Sequence, residues 1–181
     1  MNTRKILLKL GATCEGFEWA ADKPLREAWE TCHRGDWMLW AAEKVSVDRQ
    51  LLVAAACDCA ELALPYVPSG EDRPRIAIET ARKWIRGEAT LEEVQAASYA
   101  SSDASFASDA SYTASDAADA ASSASSSASS ACSACSSASY ASDAASSASA
   151  RETTHRQCAD IVRKHIPWDI VAAKLEKRVL V

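Results

Sequence analysis

The chain has 181 residues, a net charge of −5, 48% hydrophobic residues and seven cysteines. That length supports one core, and one domain is expected. There is no basic field of the kind nucleic-acid binders carry and no apolar run of membrane-spanning length. An odd cysteine count without framework spacing points to reduced thiols in a cytosol rather than a disulfide scaffold.

In chain order, the start Met1-Asn2-Thr3-Arg4-Lys5-Ile6-Leu7-Leu8-Lys9-Leu10 is charged, but Lys9 interrupts its short apolar run, so it does not read as a signal peptide. A string of short helices is predicted next. Pro24 fits the first turn of a helix through Leu25, Ala28 and Trp29, with Gly35 ending it. Asp36 is placed to N-cap Trp37–Ala42, and Asp48 to cap a third helix. That third helix has Leu51, Leu52, Ala55, Ala56, Cys59, Leu62 and Ala63 at helical spacing. Pro65–Gly70 is a break, and Pro74 opens a fourth helix through Ile78, Ala81 and Trp84. Gly87 suits a helix C-terminus, and Thr90-Leu91-Glu92-Glu93 is a capping box for the next start.

Residues 96–150 then hold 43 Ala or Ser in 55 positions, with five Asp and no Lys or Arg. The tract therefore carries the whole charge excess; outside it 20 acidic and 20 basic side chains balance. Counted in sevens from Ala100, eleven of fourteen seam positions (first and fourth) are Ala. Such a repeat predicts a long coiled-coil-like helix or a helical hairpin, with the seam buried. One helix over the tract would run roughly 80 Å at about 1.5 Å per residue. It must therefore pair with a second copy of the chain, giving a homo-oligomer, or break in the Ser-rich centre at 125–130. The C-terminus resumes with a second capping-box pattern, Thr154-His155-Arg156-Gln157, and Pro167 opens a last helix through Trp168, Val171 and Leu175. The expected fold is all-α and a single helical domain over 1–181: short helices in 1–90, the Ala/Ser tract in 91–150, and C-terminal helices in 151–181.

Three segments carry a resemblance: Cys32-His33-Arg34-Gly35-Asp36-Trp37-Met38-Leu39-Trp40, Pro68-Ser69-Gly70-Glu71-Asp72-Arg73-Pro74-Arg75, and Ala159-Asp160-Ile161-Val162-Arg163-Lys164-His165-Ile166-Pro167-Trp168. They resemble the immunity proteins of bacterial toxin–immunity loci, a family with relatives in phage genomes and an Ala-rich tract between the second and third segments. The family's tract is rich in Ala and Tyr, whereas this one is rich in Ser. The resemblance implies an all-α protein that acts by binding, and it brings no catalytic residues with it.

Candidate site residues are few. Arg73 and Arg75 sit at a helix start where free N–H groups and guanidinium donors can collect an anion; His33 beside Arg34 can do the same. Tyr99, Phe106 and Tyr112 lie beside the seam with few large neighbours, which suits anchors for a protein partner. The six Trp read mostly as core. Cys132-Ser133-Ala134-Cys135 is a lone CxxC and reads as small seam residues. No metal spacing, phosphate loop or nucleophile–base pattern stands out, so no enzyme, cofactor, metal or DNA role is expected. The expected partner of this cytoplasmic protein is a toxin or effector, neutralised stoichiometrically. The alternative is an anionic nucleotide immune signal, sequestered by a phage anti-defence sponge.

Overall fold

The computed structural model describes residues 2–12, 15–107, 112–128, 133–144 and 147–179. The side chains at 105–107, 112–115, 117, 118, 135, 148, 178 and 179 lie outside that description. The elements are α1 (Thr3–Lys9), α2 (Glu15–Ala20), α3 (Leu25–Thr31), α4 (Gly35–Lys44), α5 (Arg49–Glu61), a 3-10 turn (Leu64–Tyr66), α6 (Arg73–Ile85), α7 (Leu91–Ala107), α8 (Tyr112–Ser126), α9 (Ser133–Asp143), α10 (Ala148–His165) and α11 (Trp168–Val179). The fold is all-α. No helix among the described residues is long and apolar enough to cross a membrane.

Helix α5 is the axis, with α4, α6, α8, α9 and α10 packed around it. Asp48 starts it, its carboxylate accepting from the Gln50 N–H at 2.9 Å. Leu52, Val53, Ala55, Ala56, Cys57, Cys59 and Ala60 are all buried and make a broad apolar face, while Gln50, Ala54, Asp58 and Glu61 on the other side of the helix are not buried. A helix with so wide an apolar face packs against several neighbours at once. Its small residues let its neighbours come close.

The Ala/Ser tract supplies three of those neighbours or their partners. It is not one long helix: it forms α7, α8 and α9 and the start of α10. With four residues between them, α7 and α8 make a helical hairpin, and α8 ends at Ser126, inside the Ser-rich centre where a break is expected. The seam positions Ala121, Ala124, Ala128 and Ala138 are buried, yet Asp103 is exposed and Ala100 only half-buried. Seam positions Ala107, Ala114 and Ala117 have their side chains outside the described residues, and Ala110, Ala131 and Ala145 lie outside them altogether. Off the seam, Ser101, Ser125, Ser137, Ala120, Ala134, Ala141 and Ala144 are as buried as the seam. The seven-residue repeat is thus not the organising pattern, because α8 and α9 have neighbours on more than one side.

Serine does here what alanine cannot. The Ser125 hydroxyl donates to the Ala77 carbonyl of α6 at 3.1 Å and lies 3.4 Å from that of Val94 in α7. Ser137 donates to Ala56 of α5 at 2.9 Å. Ser98 in α7 meets the Ser122 and Ser126 hydroxyls of α8 at 3.2 and 2.6 Å. Such bonds satisfy buried hydroxyls, and they reach between helices only because no large side chain holds the backbones apart.

Local starts and stops follow the sequence in part. The Thr90 box forms as expected: the Glu93 N–H donates to the Thr90 hydroxyl at 3.2 Å, and the Thr90 N–H to the Glu93 carboxylate at 2.7 Å. Gly87 ends α6 with φ +74°. The second box does not start a helix. Thr154 lies inside α10, its hydroxyl donating to the Ala150 carbonyl, and Ser147 is the cap. Gly35 does not end a helix either; α3 stops at Thr31 and Gly35 is the first residue of α4, so Asp36 lies in the first turn rather than at the cap. The reason is packing. A Cβ on Gly35 would lie 2.6 Å from the Cys158 Cβ and 2.8 Å from its carbonyl carbon in α10.

Polar pairs fasten α5, α6 and α10 at the surface. Arg82 pairs with Glu61 and with Asp58, the latter at 2.6 Å, and the His165 ring lies 2.7 Å from the other Asp58 oxygen. Burial works to raise the Asp58 pKa, but the hydrogen bonds from His165 and Arg82 outweigh it and hold the carboxyl below its usual range. Its folded value is depressed, so the stability it contributes is present above the ordinary carboxylate range and is lost as pH falls through the folded value.

Three outcomes follow for stability. Gly35→Ala should lower the melting temperature, by about 1–3 kcal/mol of overpacking, although alanine is the better helix former. Ala121→Leu and Ser137→Leu should destabilise by a similar amount, about 1–3 kcal/mol each, while Glu92→Leu on the exposed face should not; a marked difference between the first two would restore the seam. Asp58→Asn should flatten the fall in melting temperature as pH drops from about 5 to about 3, measured against the unmodified protein.

Candidate functional site

The large side chains that the Ala/Ser bundle cannot hold collect on one side. Trp19 from α2, Trp29 from α3, Trp37 and Trp40 from α4 and Trp168 from α11 line one cleft of about 500 Å³. Leu7 and Leu10 of α1, Phe17, Met38, Val171 and Leu175 complete its apolar walls, and Ser136 and Ser139 of α9 reach its floor. Asp36 is the one carboxylate among the lining residues.

Each wall has a local cause. Gly16 lets α2 lie on the Trp37 ring, since a Cβ there would come within 2.9 Å of the indole. Arg163 of α10 fixes α3: its guanidinium donates to the Cys32 carbonyl at 2.7 Å and lies 3.3 Å from that of Trp29. A cation on the last carbonyls of a helix is favourable to both. Trp19, His33 and Trp37 form a ring cluster with centroids 5.9 to 6.2 Å apart, Trp19 and His33 edge to face.

The chain's own cations sit on these rings. Lys23 Nζ lies 3.9 Å from the Trp19 centroid, Arg34 4.8 Å from Trp37, Arg4 5.2 Å from Phe17, and Lys44 5.9 Å from Trp40. Distances of this order are attractive. Among the described residues, two buried polar atoms nearby have no hydrogen-bond partner: Trp29 Nε1 and His155 Nδ1. Burial, then the charge of Arg34, lowers the His155 pKa.

The residues singled out from sequence fall in three places. His33 and Arg34 are not lining residues but pack on the Trp19 and Trp37 rings that are, and Arg34 is already bidentate on Asp36, with bonds of 2.9 and 2.6 Å. Arg73 and Arg75 stand at the start of α6. Arg73 is bidentate on Glu71 at 2.8 and 2.5 Å, and Arg75 pairs with Asp72 at 3.0 Å and Glu79 at 3.9 Å. Among the described residues no hydrogen bond or ion pair joins the two sets. Tyr99 projects from α7 and is 70% exposed. The Phe106 and Tyr112 side chains lie outside the described residues, as do Cys132 and the Cys135 side chain.

Sequence reading assigned the tryptophans to the core and missed the cleft. A signal was available: four Trp lie between residues 19 and 40, and one follows Pro167, while the tract between has none. Among the described residues no group of three or more His, Cys, Asp or Glu is placed to hold a metal. Burial pushes the Cys57 thiol up to about 12, and a hydrogen bond with Cys158, then full burial, also raises the free Cys59 thiol.

A family model described as Imm-5 like putative immunity protein matches residues 40–167. No curated protein and no solved structure matches the chain. The match takes in α5 to α10, the bundle around the central helix, but Trp19, Trp29, Trp37 and Trp168 all lie outside it. Covering more than two thirds of the 181 residues, it shows what the three resembling segments suggest: the chain belongs to the Imm-5 like putative immunity protein family.

Proposed function

We propose that this protein neutralises a toxin or effector by stoichiometric binding without turnover, and that the tryptophan cleft is the contact face. The observation that carries the reading is the cleft: five indoles on one concave, apolar surface. Aromatic residues packed in a concave site are the usual anchors of binding energy. The titratable groups support binding rather than chemistry. Asp58, His165 and Arg82 tie three helices together, and the buried thiols Cys57 and Cys59 are held protonated, as suits a reducing cytosol.

A nucleotide sponge draws less support from the side chains singled out for it. Arg34, Arg73 and Arg75 each hold a carboxylate, which an anionic ligand would have to displace. Among the described residues, part of the tract's Ala and Ser is buried against this chain's own helices, and light scattering decides whether a homo-oligomer forms as well.

Co-expression with toxic domains encoded in the same locus tests the reading. The unmodified chain should restore growth and bind its toxin in a fixed stoichiometry by calorimetry. Trp37→Ala should weaken binding more than tenfold, about 1.4 kcal/mol, and Ser139→Trp, which fills the cleft without removing a wall, should do the same at an unchanged melting temperature. Tyr99→Ala should have no effect. The reverse pattern would move the contact face to α7. Chemically altered nucleotides after incubation with the purified protein would overturn the non-enzymatic reading; intact bound nucleotide would favour the sponge.

A further inference from the structure

We propose that the cleft recognises an acidic segment of the partner protein, one that inserts a bulky apolar side chain between the tryptophans and sets a carboxylate on Lys23. The inference rests on the cleft being the contact face, and it names the chemistry of what enters.

The chain's own cations decide the sign. A Trp-lined site with open ring faces suits a cationic ligand. Here three of the five indoles already carry one of the chain's own cations, each set beside the cleft rather than among its lining residues: Lys23 on Trp19, Arg34 on Trp37, and Lys44 over Trp40. A cationic occupant would meet like charges beside those three rings.

These cations are not equally neutralised. Arg34 is bidentate on Asp36. Lys44 lies 3.5 Å from Glu43, and Arg4 3.5 Å from the exposed Asp22. Lys23 is half-buried, and among the described residues it has no ion-pair partner. Its ammonium donates to the Trp19 carbonyl at 2.5 Å and otherwise rests on that residue's ring. A partly buried charge without a counter-ion costs free energy that an incoming carboxylate recovers.

The apolar half of the ligand follows from the walls. A volume of about 500 Å³ lies in the range that encloses bulky groups. Trp29 lines this space, and its buried Nε1–H has no acceptor. A buried indole N–H ordinarily has one, and a peptide segment brings carbonyl oxygens with its side chains.

Two fluorescein-labelled peptides test this by anisotropy. Both have a Leu-Trp-Leu-Phe centre; one is flanked by pairs of glutamate, the other by pairs of lysine. The glutamate peptide should bind at least tenfold tighter, and Lys23→Glu should abolish or reverse that preference. Ser139→Trp should remove binding of the glutamate peptide while the protein melts normally. Equal affinities, tighter binding of the lysine peptide, or no binding of either up to about 100 μM would overturn the inference. If toxin neutralisation still depends on Trp37 while the peptides fail, the cleft remains the contact face and only the acidic occupant is wrong. If neutralisation survives both Trp37→Ala and Ser139→Trp, the contact-face reading falls first.

Discussion

Close approach of helix backbones is the constraint on which this structure depends. Around α5 the packing side chains are mostly Ala, Ser and Cys. Each contributes little apolar area, and the hydrophobic effect scales with area removed from water. Close packing offsets this in part, since dispersion grows with the number of atoms brought to contact. The buried serines add directed bonds. Ser125 and Ser137 donate to carbonyls on neighbouring helices, which fixes the rotation of each helix as well as its distance. A bundle of this kind tolerates little enlargement, because the carbonyl a serine reaches is the first thing a larger side chain would strike. Gly35 against Cys158 is the limiting case.

The same constraint places the aromatic residues. A bundle spaced by alanine has little room for an indole, and Trp29 alone of the six is buried in its core cluster. Trp84 packs at the edge of the core, and the other five Trp gather where α1 to α4 and α11 lean on the bundle. The family match follows this division, covering the tight bundle and stopping at or near the elements that build the cleft. The cleft walls still rest on tight contacts of their own, since a Cβ on Gly16 would lie 2.9 Å from the Trp37 ring.

How much could be read from the chain alone follows from the same physics. Helix starts set by local chemistry were legible. Asp48 and the Thr90–Glu93 box cap as expected because their partners lie within three residues. The all-α class and a break in the Ser-rich centre were legible for the same reason. The neighbours of the tract were not. An Ala seam of period seven describes a helix with one partner, whereas α8 touches α5, α6, α7 and α9. Serine is ambiguous from sequence: Ser137 looks like a surface residue until α5 lies against it. Gly35 reads as a helix stop because glycine usually acts locally, and its true reason sits in α10, more than a hundred residues away. The pairing of Arg73 with Glu71 and of Arg34 with Asp36 was within reach, two residues apart in each case. The tryptophan cleft was only hinted at by the clustering of Trp toward the two ends of the chain, because the contacts that close it join those ends.

The cleft takes its rigidity from the bundle. Arg163 and Gly35 both act at α10: one holds the last carbonyls of α3, the other admits the start of α4. Gly16 then seats α2 on Trp37, which α4 has already positioned. The order of support runs from α5 to α10, to α3 and α4, to α2. Lys23 follows α2 directly, and its backbone carbonyl accepts the Thr3 hydroxyl of α1 at 2.6 Å. The ammonium is thus held at the end of a chain of short, specific contacts rather than on a free surface loop. Ordering interface side chains is a main cost of association, about 0.5–1.5 kcal/mol for each long side chain immobilised. A lysine already resting on an indole has met much of that cost before any partner arrives, and it favours a site that discriminates by charge at little entropic expense.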